Sequence, residues 1–78
     1  MTNSEFYALL GQAIDTTEDI QIDTVLASME SYDSLAVLGI MAMADGSFGK
    51  KLTAEDFAKV TTVSSLMEII GADHFVEG

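Results

Sequence analysis

Seventy-eight residues make one domain with a small core. Three Lys+Arg against thirteen Asp+Glu leave a formal charge of -10, which repels phosphate backbones and anionic membrane surfaces and attracts basic protein surfaces. The absence of Cys excludes disulfides and thiolate metal sites. There is no basic stretch followed by an apolar leader, and no apolar run near the roughly 20 residues that span a bilayer. These features describe a cytoplasmic domain over residues 1–78, without membrane insertion and without nucleic-acid partners.

The spacing of Phe6, Leu9, Leu10, Ala13 and Ile14 predicts a first helix from Ser4 to Ile14, capped by Asn3 or Ser4. Asp15 to Asp33 is the least regular stretch. It reads as an ordered crossover held down by Ile20, Ile22, Val25, Leu26 and Met29, with a short helical turn near Asp23 to Ser28. A second helix runs from Ser34 to about Ser47. Its predicted core stripe is Val37, Ile40, Met41, Ala44 and Phe48, with Ala36, Gly39, Ala42, Met43 and Gly46 largely elsewhere, and Gly49 as its terminator. Thr53-Ala54-Glu55-Asp56 is a capping box opening a short third helix that carries Phe57 and Val60 inward and ends near Thr61. Thr62 caps a fourth helix with Val63, Leu66, Met67 and Ile70 inside and Gly71 at its end, leaving residues 72–78 as a frayed tail. The expected fold is all-α: a small four-helix bundle with a long crossover between helices I and II and a short helix III.

Tyr32-Asp33-Ser34-Leu35 stands where the crossover gives way to the second helix. Ser and Asp are both favoured at a helix N-terminus as caps, so these letters alone are compatible with a purely structural role. A second pattern, Val60-Thr61-Thr62-Val63, follows between the third and fourth helices.

Together these features resemble the acyl carrier protein family over nearly the whole chain, most clearly from Met29 onward. Asp33-Ser34-Leu35 corresponds to its attachment motif, and Phe48-Gly49 to the close of its helix II. Lys51-Leu52-Thr53-Ala54-Glu55-Asp56 matches the acidic turn into helix III, and Val60-Thr61-Thr62-Val63 a hydrophobic-Thr-Thr-Val signature. The resemblance implies a non-catalytic carrier with 4′-phosphopantetheine on Ser34, Asp33 and Leu35 completing the motif. It further implies acyl cargo held as a thioester. The implied partners are a phosphopantetheinyl transferase and the acyl-transferring, condensing or modifying enzymes of fatty acid, polyketide or related lipid synthesis. A free-standing bacterial-type monomer is the expected form. A D-alanyl or aminoacyl carrier, and a helical protein-interaction module without the arm, are the alternatives.

Two departures from the family pattern bear on function. The second helix lacks the usual acids: Ala36 follows Leu35, Gly39 stands where Glu is common, and Asp45 is nearly its only charge. Its outward face of Leu35, Leu38, Ala42, Met43 and Asp45 is the candidate partner surface, docking more by apolar contact than by charge steering. Ala44 is small where the family often has a larger aliphatic. With Val37, Ile40, Met41, Val60, Leu66 and Ile70 it forms a candidate acyl pocket, unless Phe57 fills that space.

Other chemistries fail on residue type. His74 has no second His or Cys for zinc and reads as a surface residue, and Lys50-Lys51 as a solvated turn. Asp45-Gly46-Ser47-Phe48 would place Met41, Met43 and Leu52 at calcium-ligand positions, which excludes an EF-hand. No metal site is expected, and Glu18, Asp19 and Asp23 offer only nonspecific divalent binding. Ser, Asp and one terminal His give no hydrolase triad.

Overall fold

Three of the four helices start the same way. In the computed structural model, which describes residues 1–30 and 32–77, helices α1 (Asn3–Ala13), α3 (Ala54–Ala58) and α4 (Val63–Ile70) each follow a threonine N-cap with a reciprocal box. Glu5 N–H donates to Thr2 Oγ1 at 3.1 Å while Thr2 N–H donates to Glu5 Oε1 at 2.9 Å. The α1 cap is therefore Thr2, one residue before the predicted Asn3. The signal was present as Thr2-x-x-Glu5, the same pattern read correctly at Thr53. Thr53 and Asp56 exchange bonds of 2.9 and 3.3 Å, and Thr62 and Ser65 bonds of 3.0 and 3.2 Å.

The two boxes that hold a carboxylate make the starts of α1 and α3 pH-dependent. The Thr2 backbone N–H, then its hydroxyl, holds the Glu5 carboxyl below its usual range; the Thr53 backbone N–H does the same for Asp56. A carboxyl with a lowered folded pKa binds fewer protons folded than unfolded. Its contribution is thus full above the ordinary carboxylate range and drains as pH falls through the folded value. The double variant Glu5→Gln/Asp56→Asn should lose less stability than the parent between pH 7 and pH 3, measured as urea midpoints.

Helix α2 (Ser34–Phe48) spans the bundle and ends at Gly49, whose φ of 65° is the left-handed conformation glycine adopts without strain. Its buried line is Ala36, Ile40 and Ala44. Of the predicted stripe, Val37, Met41 and Phe48 are only half-buried, and Ala36, predicted to lie elsewhere, is 3% exposed. The helix is therefore rotated from its sequence reading toward α1. Phe6, Leu10 and Ile14 from α1, and Val63, Leu66, Met67 and Ile70 from α4, meet this line in one core. Leu52, before α3, joins them; Phe57 and Val60 pack on the margin as half-buried residues, and α3 itself stops at Ala58.

The crossover is tied down by its backbone as well as by Ile20, Leu26 and Met29, with its helical turn at Leu26–Ser28. Leu26 N–H donates to Thr61 O at 3.0 Å, Val63 N–H to Thr24 O at 3.0 Å and Ser64 N–H to Ile22 O at 2.9 Å. This pairing satisfies main-chain groups that a loop would otherwise leave to water. It also turns Ile22 and Val25 outward, each 45% exposed, which corrects their predicted role as anchors.

The predicted frayed tail is docked over residues 72–77. Ala72–His74 forms a turn, and Thr2 and Val76 form a parallel bridge. Asn3 N–H donates to Val76 O and Val76 N–H to Met1 O, both at 2.9 Å. Phe75 packs edge-on against Phe6 at 4.8 Å and Phe48 at 5.3 Å between centroids. Gly78, in the predicted tail, and Ser31, in the crossover, lie outside the described residues.

Helix α1 stops in a Schellman arrangement: Thr16 N–H donates to Gly11 O at 3.0 Å and Asp15 N–H to Gln12 O at 3.2 Å. The residue in the left-handed position is Asp15, at φ 52°, rather than glycine. Asp15→Gly should therefore stabilise the fold by about 0.5–1 kcal/mol, a rise of a few degrees in Tm. Thermal melts followed by circular dichroism check this.

Candidate functional site

The first turn of α2 separates two jobs that its sequence could have combined. Asp33 is extended (φ −132°, ψ −168°) and its Oδ1 accepts the Ala36 N–H at 2.9 Å, while its carbonyl accepts Val37 N–H at 3.0 Å. Asp33 is thus the N-cap. Ser34 is the first helical residue, exposed, and its hydroxyl makes no hydrogen bond to a described residue. The purely structural reading of Ser34 as the cap is thereby removed.

The helix offers this hydroxyl a polar setting. The N–H groups of Ser34 and Leu35 precede the first intrahelical bond and find no carbonyl partner among the described residues. They and the helix dipole favour an anion bonded at Ser34 Oγ. The residues present therefore fit a phosphodiester on this oxygen. Tyr32, just upstream, is half-buried, and burial raises its phenol pKa, so it stays neutral.

From Ser34 the exposed face of α2 continues through Leu35 and Leu38, 76% and 60% exposed, to Ala42 and Asp45. Met43, predicted on this face, is half-buried and packs against the core. Gly39 has a different function from the one its missing acid suggested. A Cβ there would run into the carbonyl oxygen of Ala13, with the Ala13 carbonyl carbon 3.2 Å away. Glycine at 39 lets the backbones of α1 and α2 approach.

Of the seven interior candidates, Ile40, Ala44, Leu66 and Ile70 are between 0 and 3% exposed and belong to the core. Met41 and Val60 are half-buried on its margin, and Val37 is half-buried outside that cluster. Phe57 also packs against the core. His74 is exposed, with its ring 5.3 Å from that of Phe48. Among the described residues no group of three or more His, Cys, Asp or Glu could hold a metal, and no helix is long and apolar enough to cross a membrane.

Sequence reasoning missed the division of labour between Asp33 and Ser34 and the approach at Gly39. The first was legible in principle, because Asp is as good an N-cap as Ser. The second depends on where α1 ends, which has no local signal.

A protein-family model described as "Phosphopantetheine attachment site" matches residues 4–70. No curated protein and no solved structure matches the chain.

Proposed function

The chain belongs to the family of carrier domains with a phosphopantetheine attachment site, and from that premise we propose that Ser34 bears the arm and that the protein carries acyl intermediates. The family is non-catalytic and its cofactor is covalent 4′-phosphopantetheine, put in place by a phosphopantetheinyl transferase. One observation supports Ser34 above all: its hydroxyl is exposed at the head of α2 and makes no hydrogen bond to a described residue, because Asp33 does the capping. In the transfer, Ser34 Oγ gives up its proton and bonds to phosphorus as the nucleotide half of coenzyme A leaves. The base belongs to the transferase, so Ser34 needs none in this chain. The arm's thiol then supplies a thioester for the cargo, and tethering raises its effective concentration at each partner site. Leu35 completes the recognition motif beside the serine.

Cargo from fatty acid, polyketide or related lipid synthesis is favoured over aminoacyl cargo, because peptidyl carriers tend to carry Gly-Gly before the serine region and this chain does not. A long chain entering among Ile40, Ala44, Leu66 and Ile70 must displace Met41 and Val60 and part the helices, since these four are buried and protein cores are close-packed.

Leu35, Leu38, Ala42 and Asp45 form the docking face for partner enzymes. Its single carboxylate adds little steering of its own, so the salt dependence that the -10 charge of the chain gives to encounter should survive its removal. The KM of the transferase for this carrier should change little on Asp45→Asn, at low and at physiological salt alike. A steep salt dependence abolished by that variant would overturn the apolar-docking reading.

Intact mass after incubation with coenzyme A, magnesium and a broad-specificity transferase tests the attachment. The expected result is one phosphopantetheine per chain, mapped to Ser34. No addition where a control carrier is modified would count against the assignment.

A further inference from the structure

A cleft of about 290 Å³ opens beside the serine, between the end of α1 and the first turn of α2. Ala13, Ile14 and Asp15 form one wall; Asp33, Leu35 and Ala36 form the other. Both sequence neighbours of Ser34 line it, so the serine stands at its rim.

Main-chain features shape the cleft. The α1 wall ends in the left-handed turn at Asp15. One turn further along α2, Gly39 meets the Ala13 carbonyl, and the two walls close on each other there. The cleft is therefore open at the serine end and shut at the Gly39 end.

We propose that this cleft seats the pantetheine portion of the arm, an inference that rests on attachment at Ser34. Pantetheine carries two geminal methyl groups and a hydroxyl near the phosphate, then two secondary amides. The walls offer an apolar surface and hydrogen-bond acceptors for these groups. Leu35, 76% exposed, gives the methyl groups an apolar surface. The amide N–H groups meet two carboxylates, Asp15 and the Asp33 oxygen not used by Ala36 N–H. Charged acceptors make the stronger hydrogen bonds. The phosphodiester stays at the α2 N-terminus, outside the cleft. The volume lies just below the range for organic ligands, about 300–1,000 Å³. It takes the arm and leaves no room for a long acyl chain, and its two carboxylates disfavour an aliphatic cargo. The thioester end consequently projects beyond the α1–α2 cleft, available to an enzyme docked on Leu35 and Leu38.

The test uses the full chain loaded by the transferase, with intact mass recorded first. Nuclear Overhauser contacts are then measured from the geminal methyl protons of the arm. Contacts to the methyl groups of Ala13, Ile14 and Leu35 are expected, with amide shifts between unloaded and loaded protein extending to Ala13–Thr16. Contacts to Val37, Met41 or Val60 instead would overturn the inference in favour of the opposite side of α2. A loaded protein with no contacts and shifts confined to the Ser34 region would overturn it too, leaving the attachment intact. A chain that takes no arm would overturn the carrier assignment and this inference with it, and the mass spectrum separates that case from the others.

Discussion

Ser34→Ala should abolish arm loading completely while leaving the melting temperature within about 4 °C of the parent. The two halves of this expectation come from different atoms. Loading needs the hydroxyl, and the flanking motif offers no other: Asp33 and Leu35 have none. Stability does not need it, because Ser34 is exposed, its hydroxyl makes no hydrogen bond to a described residue, and the α2 cap is the Asp33 carboxylate. An exposed substitution of this kind changes stability by about 0.5 kcal/mol or less, and 1 kcal/mol in a domain of this size is about 4–8 °C. Asp33→Ala should show the other half. Losing an N-cap costs about 1 kcal/mol, so its melting temperature should drop by several degrees even with the serine intact. Intact-mass loading assays and circular-dichroism melts on both variants separate the roles. If Ser34→Ala unfolds the domain and Asp33→Ala does not, the serine is structural and the carrier assignment loses its main support.

The parts of this fold that are written locally were legible. Thr53-Ala54-Glu55-Asp56 and Thr62 marked helix starts because a capping box closes within four residues. α4 showed its inner face because Val63, Leu66, Met67 and Ile70 are set off by Ser64, Ser65 and Glu68. α2 did not: from Leu35 to Ala44 every residue is apolar or glycine, so helical periodicity allows several stripes and cannot choose among them. The choice fell to α1, which approaches at Gly39 and draws Ala36 inward. The C-terminal segment was misread for a related reason. Val76 pairs with Met1, Thr2 and Asn3, and Phe75 with Phe6 and Phe48, partners far apart in sequence that no window contains. At the site, the serine and its motif were visible, while the cleft beside it exists only once α1 and α2 are packed together.

The same contact yields the largest effect expected on stability. Gly39→Ala should destabilise the domain by about 1–3 kcal/mol, although alanine is normally better than glycine inside a helix by about 1 kcal/mol. The new methyl group meets the carbonyl oxygen of Ala13, a main-chain atom that cannot rotate aside, so α1 must move and disturb Phe6 and Leu10 in the core. A domain of this length is stable by about 4–12 kcal/mol in total, so the melting temperature should fall by roughly 5–20 °C. Gly46 supplies the control on the same helix. A Cβ there has no atom within 4 Å, so Gly46→Ala should show the propensity gain alone and raise the melting temperature by a few degrees. Ala13→Gly should fail to rescue Gly39→Ala, because it removes a side chain and leaves the obstructing carbonyl in place. Rescue would mean that the helices meet through side chains. A Gly39→Ala protein that melts above its parent would mean that the backbones of α1 and α2 do not approach at this point, and the shut end of the cleft beside Ser34 would go with them.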